Sequence, residues 1–401
     1  MLPLQGVKVL DMTRALSGPF CTMILADLGA EVIKVEALPD GDMSRDWGPF
    51  DREISTYYLS ANRNKKSVAV DFRKPEGLAL LKKMALESDV LVENFRVGTL
   101  EKMGLDDAYL LAGNPGLVIA SISGFGSKGP ASEWAGFDQI AQGYAGYMSL
   151  SGTEQSGPMR VGTAIGDMLA GMWLSIGVLS ALMQKRETGK GQRVETSLLA
   201  GLIGVLSVQG QRFLNLGEVP KPLGNSHPVI APYGTFQTAD GPLNLAPATQ
   251  GMWLSLCKLL GLEHLADDPR YLTNEERMKN RESLQVEIEA VLKNHPRMYW
   301  TPRMIEKGIP AGPINKMDDV FRDAQVDALK LVETVEHPVL GLLKQVGFPV
   351  SMGSMPEGET VRWAPPVLGQ HTREVLASYG ISEKEVDRLI ASGVVMQSAV
   401  S

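Results

Sequence analysis

Short apolar runs alternate with helix-period stretches along the N-terminal part of the chain. The apolar runs have the length and the flanking turn residues of buried strands. Their alternation with helices predicts an α/β fold, with a Rossmann-like parallel sheet that has helices on both faces. The predicted strands are Val7–Asp11, Glu31–Val35, Ser67–Asp71, Val90–Glu93 and Val118–Ser121, and the predicted helices are Phe20–Leu28, Pro75–Glu87 and a short one from Leu105.

A change of composition marks a second, smaller domain. Proline and glycine are frequent from Asn215 to Pro232, which is typical of a connection between domains. The hairpin-like stretch YGTFQTADGPLNL follows, then helices at Trp253–Leu260 and Arg281–Leu292, and then a second stiff connector at Ile309–Pro313. We therefore predict a large domain at 1–214, a linker at 215–228, an inserted small α/β domain at 229–318, and a return to the large domain at 319–401.

One helix has almost the length and apolarity of a membrane span. Ile165–Met183 is apolar apart from Asp167 and small residues, and a bilayer requires about 20 such residues. A helix that is apolar on all sides is also found in the core of a large soluble protein. Because Asp167 interrupts the segment and no second copy occurs, we predict a buried helix and no membrane partner.

Composition and charge narrow the class of protein. The 401 residues include 39 basic and 46 acidic side chains, a net charge of −7, which argues against nucleic acid as a partner. Cys21 and Cys257 lie far apart without metal-ligand spacing, so we expect neither a disulfide nor a metal site. The start MLPLQGVKVLDM does not read as a signal peptide. We expect a cytoplasmic protein, or a mitochondrial matrix protein after removal of a transit peptide.

A dinucleotide site is the first alternative that the opening βαβ unit raises. Glu36, at the end of the second strand, resembles the acid that binds a cofactor ribose. The first strand-to-helix loop, TRALSGP, however has only Gly18, whereas the fingerprint needs three glycines. A literal GxGxxG at Gly124–Gly129 is followed by Pro130 and a polar stretch instead of a helix. Neither signal is specific, so we do not predict this site.

Basic residues are concentrated between positions 61 and 74, where only Asp71 opposes them. One interpretation is that these basic side chains are ordinary solvent-exposed residues at the edge of the domain. The other is a phosphate site, because anionic cofactors bind at the strand ends of open α/β sheets, and Arg14 in the first loop would join it. The residues concerned are Arg63, Lys65, Lys66, Arg73 and Lys74.

Asp167 is the only charged residue between Arg160 and Lys185, and it lies where the apolar helix begins. One interpretation is an N-cap, whose oxygens accept the free amide hydrogens of the first turn. The other is a nucleophile that the helix dipole keeps ionised. Under the second interpretation Gly162, Gly166 and Gly171 let a ligand approach the backbone.

Ordered motifs over nearly the whole chain give a family resemblance. They include LDMTRALSGPFCTM, GDMSRDWGP, NRNKKSVAVDFRKPEG, DVLVENFRVGTLEKMG, SISGFGSKGP, AGFDQIAQ, AIGDMLAG, ETGKGQRVETSL, GIPAGPIN and PPVLGQHTREVL. In this combination the chain resembles the class III CoA-transferases (CaiB/BaiF type), and within them the succinyl-CoA:dicarboxylate, glutarate-type branch. The resemblance implies two interlocked ring-like chains in a homodimer.

The resemblance also implies roles for particular residues. Asp167 in IGD matches the family's nucleophile, which forms an aspartyl-CoA thioester. Coenzyme A thioesters and a small carboxylic acid are then the substrates, and no permanently bound cofactor is implied. The family's coenzyme A contacts fall on Leu16, Ser17, Arg73, Asn94, Phe95, Arg96, Lys102, Met103, Phe137 and Asp138.

This chain departs from the family pattern on the substrate side. Leu16 and Ala37 stand where formyl-CoA transferases have a glutamine and an arginine, and their glycine-rich loop has no counterpart. The segment GNSHP, Gly224–Pro228, is the candidate replacement. If the acceptor is a small dicarboxylate, its second carboxylate requires a cationic or hydrogen-bonding partner. The candidates are Arg160, Asn225 and His227, against the alternatives of a surface arginine and a turn histidine.

Two other functions use the same resemblance. An α-methylacyl-CoA racemase would exchange a proton between an aspartate and a histidine, but the histidine would align with Phe137, whose ring cannot accept a proton. A noncatalytic acyl-CoA binding protein would keep the coenzyme A pocket without requiring Asp167. We therefore predict a CoA-transferase.

Overall fold

The computed structural model describes residues 1–400, which form two compact units. Unit 1 contains Met1–Met148, Arg160–Pro220 and the chain from Ala324 to the end of the described residues. Unit 2 contains Ser149–Met159 and Lys221–Asp323. The sequence pattern predicts that Ser149–Met159 belongs to the large domain, but by its contacts this segment belongs to unit 2.

The strands are short and most of them lie in unit 1. Their bounds are β1 Lys8–Asp11, β2 Glu31–Ala37, β3 Phe50–Asp51, β4 Ile54–Ser55, β5 Lys65–Val70, β6 Val90–Glu93, β7 Val118–Ser123, β8 Gly152–Thr153, β9 Gly157–Pro158, β10 Arg193–Ser197, β11 Gly234–Gln237, β12 Pro242–Leu245, β13 Ala311–Pro313, β14 Val332–His337, β15 Gly341–Val346 and β16 Val395–Met396.

The helices differ widely in length. Their bounds are α1 Ser17–Asp27, α2 Thr56–Leu59, α3 Pro75–Leu86, α4 Thr99–Lys102, α5 Asp107–Gly113, α6 Asp138–Tyr144, α7 Tyr147–Leu150, α8 Ile165–Thr188, α9 Leu198–Ile203, α10 Ser207–Leu216, α11 Gln250–Leu260, α12 Glu263–Ala266, α13 Asn274–Lys279, α14 Arg281–Leu292, α15 Arg297–Glu306, α16 Met317–Val320, α17 Ala324–Ala328, α18 Thr372–Ser378 and α19 Glu383–Ala391.

A seven-stranded sheet with the order β10-β7-β6-β1-β2-β5-β16 is the centre of unit 1. All its pairings are parallel except that of β16 with β5. Successive side chains point to opposite faces, so Leu10 and Ile33 enter one core while Val9 and Val32 enter the other. The prediction of an α/β fold with a mostly parallel sheet is confirmed.

Helices cover both faces of this sheet. One core includes residues of α3, α5, α18 and α19, so the C-terminal segment packs against the N-terminal strands. The other core includes residues of α1, α8 and α9. Because both faces are covered, the apolar residues Val9 and Leu10 of β1 and Val90–Val92 of β6 are all fully buried.

The long helix α8 is partly buried. Ala170, Leu174 and Val178 lie in the second core, whereas Ile176 and Met183 are exposed. Among the described residues, α8 is the one helix long and apolar enough to cross a membrane, and 44% of that stretch is buried. Core helices pass the same test of length and composition, so this finding alone is weak evidence for a span.

Unit 2 is built on a three-stranded antiparallel sheet with the order β11-β12-β13. Its core surrounds Trp253 and includes residues of α11, α14 and α15. The predicted hairpin is present, since Gly234 pairs with Leu245 across β11 and β12. The predicted connector at Ile309–Pro313 is wrong in part, because Ala311–Pro313 hydrogen-bonds to β12 as an edge strand, where proline is tolerated.

Three of the predicted phosphate-binding residues have other partners. The guanidinium of Arg63 binds the buried carboxylate of Asp27 at 2.6 Å. Lys65 is fully buried, and its Nζ contacts Asp11 at 3.0 Å and two further oxygens at 2.9 Å. Lys66 forms ion pairs with Glu31 and Glu374, both at 2.8 Å. These residues stabilise the fold, so the phosphate interpretation is wrong for them.

The adjacent lysines 65 and 66 provide a matched test of burial. Lys65→Met should lower the free energy of unfolding by roughly 3–5 kcal/mol, because it removes the ion-pair partner of the buried Asp11 carboxylate. Lys66→Met should lower it by only about 0–1 kcal/mol, because its ion pairs are exposed to solvent. Urea denaturation at equal protein concentration measures both, and equal losses would contradict the structural role of Lys65.

Candidate active site

The order of the strands identifies a crevice in unit 1. From β1 the chain proceeds to β2 and β5 on one side, whereas β6, β7 and β10 lie on the other side of β1. The loops that leave β1 and β6 therefore diverge at the carboxyl edge of the sheet. Open α/β sheets bind ligands at such a switch point. Residues 12–16 and 94–98 form the two loops, and they contain four of the predicted coenzyme A contacts: Leu16, Asn94, Phe95 and Arg96.

Buried charges fix the loop after β1. Lys34 and Asp42 form an ion pair of 2.8 Å with no solvent exposure. The Nζ of Lys34 also donates to the carbonyl of Thr13 at 2.9 Å, and the carboxylate of Asp42 accepts from the amide of Ala15 at 2.9 Å. Ala15 has φ 64°, a left-handed conformation that costs roughly 1–2 kcal/mol. The hydrogen bonds from Lys34 and Asp42 hold the loop in this one shape.

Asn94 connects the two loops of the crevice. Its side-chain oxygen accepts from the amide of Arg14, and its Nδ2 donates to the Arg14 carbonyl, both at 2.8 Å. The same Nδ2 lies 3.5 Å from the hydroxyl of Ser17. Leu16 precedes α1 and is buried. The structure thus brings Leu16, Ser17 and Asn94 together.

Asp167 lies at the start of α8, beside Ser17. The Ser17 hydroxyl donates to its carboxylate. The N-cap of α8 is Ala164, which has no side-chain cap, so Asp167 occupies the first turn and the N-cap interpretation is wrong. Gly171 and Gly166 are required for packing within the protein and not for the approach of a ligand. A Cβ added at Gly171 would lie 2.7 Å from the carbonyl oxygen of Ser17, and one added at Gly166 would lie 3.0 Å from the carboxylate of Asp138.

The carboxyl group of Asp167 is in an environment that disfavours its charge. Burial, and then the negative charge of Asp138, raise the pKa of Asp167 to about 7. The hydrogen bond from Ser17 acts in the opposite direction but does not outweigh them. The carboxylate is therefore only partly ionised at neutral pH, although it lies in the first turn of α8. A carboxylate with little hydration is a stronger nucleophile when it does ionise.

A cavity of about 200 Å³ adjoins the same crevice. Phe72, Phe95 and Met103 give it apolar walls, and the guanidinium of Arg14 lies 5.2 Å from the Phe95 ring. Such walls suit a flat aromatic base. Phe95 and Met103 thus share one pocket, as predicted ligands of one cofactor should.

The remaining predicted coenzyme A contacts do not line this cavity. Arg73 is exposed, and its guanidinium binds Asp71 and the carbonyl of Leu38 at 2.8 and 2.9 Å. Arg96 lines a second cavity of about 440 Å³, and Lys102 is exposed at the end of α4. Phe137 is 59% exposed immediately before α6, whose first residue is Asp138.

The predicted acceptor-binding residues are divided between the units. Arg160 belongs to unit 1, and its guanidinium donates to the carbonyls of Val161 and Gly162 at 3.1 and 3.2 Å. Asn225 belongs to unit 2 and lines a cavity of about 540 Å³.

His227, also in unit 2, stacks on Tyr233 with 4.6 Å between the ring centroids. Its Nδ1 accepts from the amide of Val229, which leaves Nε2 as the donor of the neutral ring. Burial, and then the charge of Arg281, lower the pKa of His227. Both effects favour the neutral form of the ring, in which Nε2 is the donor.

Sequence reasoning missed two residues close to Asp167. Tyr57 of α2 is half-buried, and burial followed by the charges of Asp167 and Asp138 raises its pKa. Gln142 of α6 is fully buried and hydrogen-bonds to Asp138. Both residues lie within the motifs STYYLSAN and FDQIAQ, but nothing in their sequence pattern separates them from ordinary core residues.

Comparisons with known proteins bear on this site. The profile of CoA-transferase family III matches residues 4–372. The chain is 39% identical to the succinyl-CoA:glutarate CoA-transferase of Mus musculus, over 99% of this chain and 91% of that protein. It is 37% identical to the succinate–glutarate CoA-transferase of Agrobacterium fabrum, over 95% and 97%. A crystal structure of a CAIB/BAIF family protein from Brucella suis superposes with TM-score 0.85 at 38% identity, covering 94% of this chain and 99% of that one.

The raised pKa of Asp167 has a consequence for stability. Between pH 3.8 and about 7 the folded state keeps a proton on this group that the unfolded state releases, so stability falls as the pH rises through this window. Asp167→Asn should therefore raise the free energy of unfolding by roughly 2–4 kcal/mol at pH 8, and this gain should disappear below pH 4. Urea denaturation at both pH values measures the gain; a destabilised variant at pH 8 would contradict the assignment.

Proposed function

The chain belongs to CoA-transferase family III, and from this premise we propose that it transfers coenzyme A from succinyl-CoA to a small dicarboxylate through a covalent intermediate on Asp167. The observation that carries the proposal is the geometry of Asp167. Its carboxyl group lies in the first turn of α8, next to Ser17 at the start of α1, with a pKa of about 7. At neutral pH a substantial fraction is therefore ionised and able to attack a thioester.

Coenzyme A would bind along the crevice at the switch point. Phe95 and Met103 would receive the adenine in the cavity of about 200 Å³. Arg73, Arg96 and Lys102 would meet phosphate oxygens, for which basic side chains are the usual ligands, because each is next in sequence to a residue that lines this cavity. The loop Leu16–Ser17, held through Asn94 and Asp42, would then lead the pantetheine arm to Asp167.

In the first half of the reaction, an Asp167 oxygen attacks the carbonyl carbon of the donor thioester. The carbon–sulfur bond breaks, and a mixed anhydride and a coenzyme A thiolate form. The thiolate attacks the side-chain carbonyl carbon of Asp167, which gives the aspartyl-CoA thioester and releases the donor as a carboxylate. Acyl activation is conserved in each step.

In the second half, the acceptor carboxylate attacks the aspartyl thioester and releases the thiolate. The thiolate then attacks the acceptor carbonyl carbon of the new anhydride, so that acceptor-CoA leaves and the Asp167 carboxylate is restored. One acceptor oxygen remains on Asp167. The N-termini of α1 and α8 both lie at this site. Their positive dipole ends would stabilise the negative charge on the oxygen of each tetrahedral intermediate.

A homodimer is part of the proposal. On unit 1, Phe213, Leu214 and Leu216 of α10 and Ile176 and Met183 of α8 are more than half exposed in the single chain. Exposed apolar patches of this kind mark interaction surfaces. We propose that a second copy covers them in the interlocked arrangement that the family resemblance implies.

The alternative functions have less support. The position of the racemase histidine holds Phe137, and a phenyl ring cannot accept a proton. A noncatalytic acyl-CoA binding protein would have no use for a buried carboxyl group that destabilises the fold at neutral pH.

The covalent mechanism predicts both a loss of activity and an isotope transfer. Asp167→Asn should lower transfer from succinyl-CoA to glutarate by at least about a thousandfold, because the nucleophile is removed while donor binding remains. With heavy-oxygen-labelled glutarate, mass spectrometry of the native enzyme should find one labelled oxygen on the Asp167 peptide after turnover. An unlabelled peptide, or an asparagine variant that retains several per cent of activity without deamidation, would refute the covalent step.

The acceptor class is tested by paired acids of equal length. The native enzyme should use glutarate at least about 100-fold more efficiently than valerate. Valerate lacks the second carboxylate, so the polar group of the protein that binds this carboxylate would remain unpaired. Arg160→Ala, in the same unit as Asp167, should reduce this preference, and Arg186→Ala at the other end of α8 is the control. Equal efficiencies for both acids in the native enzyme would refute the dicarboxylate assignment.

A further inference from the structure

Side chains of α6 hold the segment that leads into Asp167. The Oε1 of Gln142 accepts from the amide of Val161 at 3.0 Å, and its Nε2 donates to Asp138 Oδ2 at 2.7 Å. The other oxygen of Asp138 accepts from the amide of Gly166 at 2.7 Å. Gln142 and Asp138 thus bind the backbone at both ends of the segment 161–166, directly before Asp167.

Asp138 supplies a cap that the helix itself does not have. The amide of Gly166 is one of the first four of α8, which have no partner within the helix, and the N-cap residue Ala164 offers no side-chain acceptor. Asp138 reaches this amide because Gly166 has no Cβ; an added Cβ would lie 3.0 Å from its Oδ1. The second oxygen of Asp138 is then oriented by Gln142.

We propose that Gln142 is a positioning residue for coenzyme A transfer. It fixes the position of the Asp138 carboxylate relative to the backbone that precedes Asp167. The inference rests on the proposed function of Asp167. Gln142 is a fully buried residue of α6. It therefore acts through its two hydrogen-bond partners and not by touching a substrate.

The position of the Asp138 carboxylate affects the electrostatic environment of Asp167. Three groups face Asp167 from neighbouring elements: the Ser17 hydroxyl of α1, the phenol of Tyr57 in α2 and the carboxylate of Asp138 in α6. Of these, Asp138 contributes the charge that helps to raise the pKa of Asp167. A shift of Asp138 therefore changes both the place and the acidity of the nucleophile.

Two substitutions of Gln142 separate positioning from simple packing. Gln142→Leu keeps most of the volume but loses both hydrogen bonds, and kcat should fall by roughly 100-fold, as for a displacement of about 1 Å at a reacting centre. Gln142→Glu is nearly isosteric. When protonated it donates to Asp138 as glutamine does, whereas when ionised it repels Asp138.

The pH profile of the glutamate variant is the decisive measurement. We expect its kcat to be closest to the native value near pH 6 and to decline towards pH 9, where the native enzyme stays on its plateau. The leucine variant should be impaired at every pH. The Michaelis constant for succinyl-CoA should change much less than kcat in both, since the loops after β1 and β6 are unaltered and, of the predicted coenzyme A contacts, Gln142 hydrogen-bonds to Asp138 alone.

Controls distinguish failure of this inference from failure of the proposed function. Gln5→Leu, at an exposed position, should behave as the native enzyme. Thermal unfolding should show that both Gln142 variants are folded at the assay temperature. If Asp167→Asn is inactive but both Gln142 variants keep native kcat and a native pH profile, the positioning role is refuted while the proposed function stands. If Asp167→Asn is active, the proposed function itself is refuted.

Discussion

The buried ion pair between Lys34 and Asp42 is the interaction on which the candidate site depends. Two charges without solvent exposure contribute little net stability, because their desolvation offsets most of their attraction. What they determine is geometry. Lys34 holds the carbonyl of Thr13, and Asp42 holds the amide of Ala15 in a left-handed conformation. The loop therefore delivers Ser17 to Asp167 in a single arrangement.

A second constraint is the close approach of α1 and α8. Gly171 lies against the carbonyl of Ser17, where a Cβ would be only 2.7 Å away, so only glycine fits without a shift. This contact brings the N-termini of two helices to one point at the carboxyl edge of the sheet. Reacting oxygens that become negative would there meet two positive dipole ends, while the body of each helix packs in the core.

The site combines opposing electrostatic demands. In the proposed mechanism Asp167 must ionise to act as the nucleophile, yet burial and Asp138 raise its pKa to about 7. A weakly hydrated carboxylate reacts faster with a thioester, and enclosure protects an anhydride from water. The proposed mechanism would give the fold a reason to keep an unfavourable group at its centre. The ion pairs of Lys65 and Arg63 elsewhere in unit 1, like that of Lys34, fix the geometry of the surrounding scaffold.

The sequence by itself determined the α/β class, most strand and helix positions, the hairpin of unit 2 and the family, because period-two and helical patterns and ordered motifs are local properties of the chain. It also singled out Asp167 as an isolated charge in an apolar helix. Only the tertiary structure decided which charges serve the fold: Arg63, Lys65 and Lys66 resemble a phosphate site in sequence, but their carboxylate partners lie on distant segments. The acidity of Asp167 and the role of Gln142 likewise depend on α6 and α8 meeting in space, since burial and charge proximity are set by packing and not by spacing along the chain.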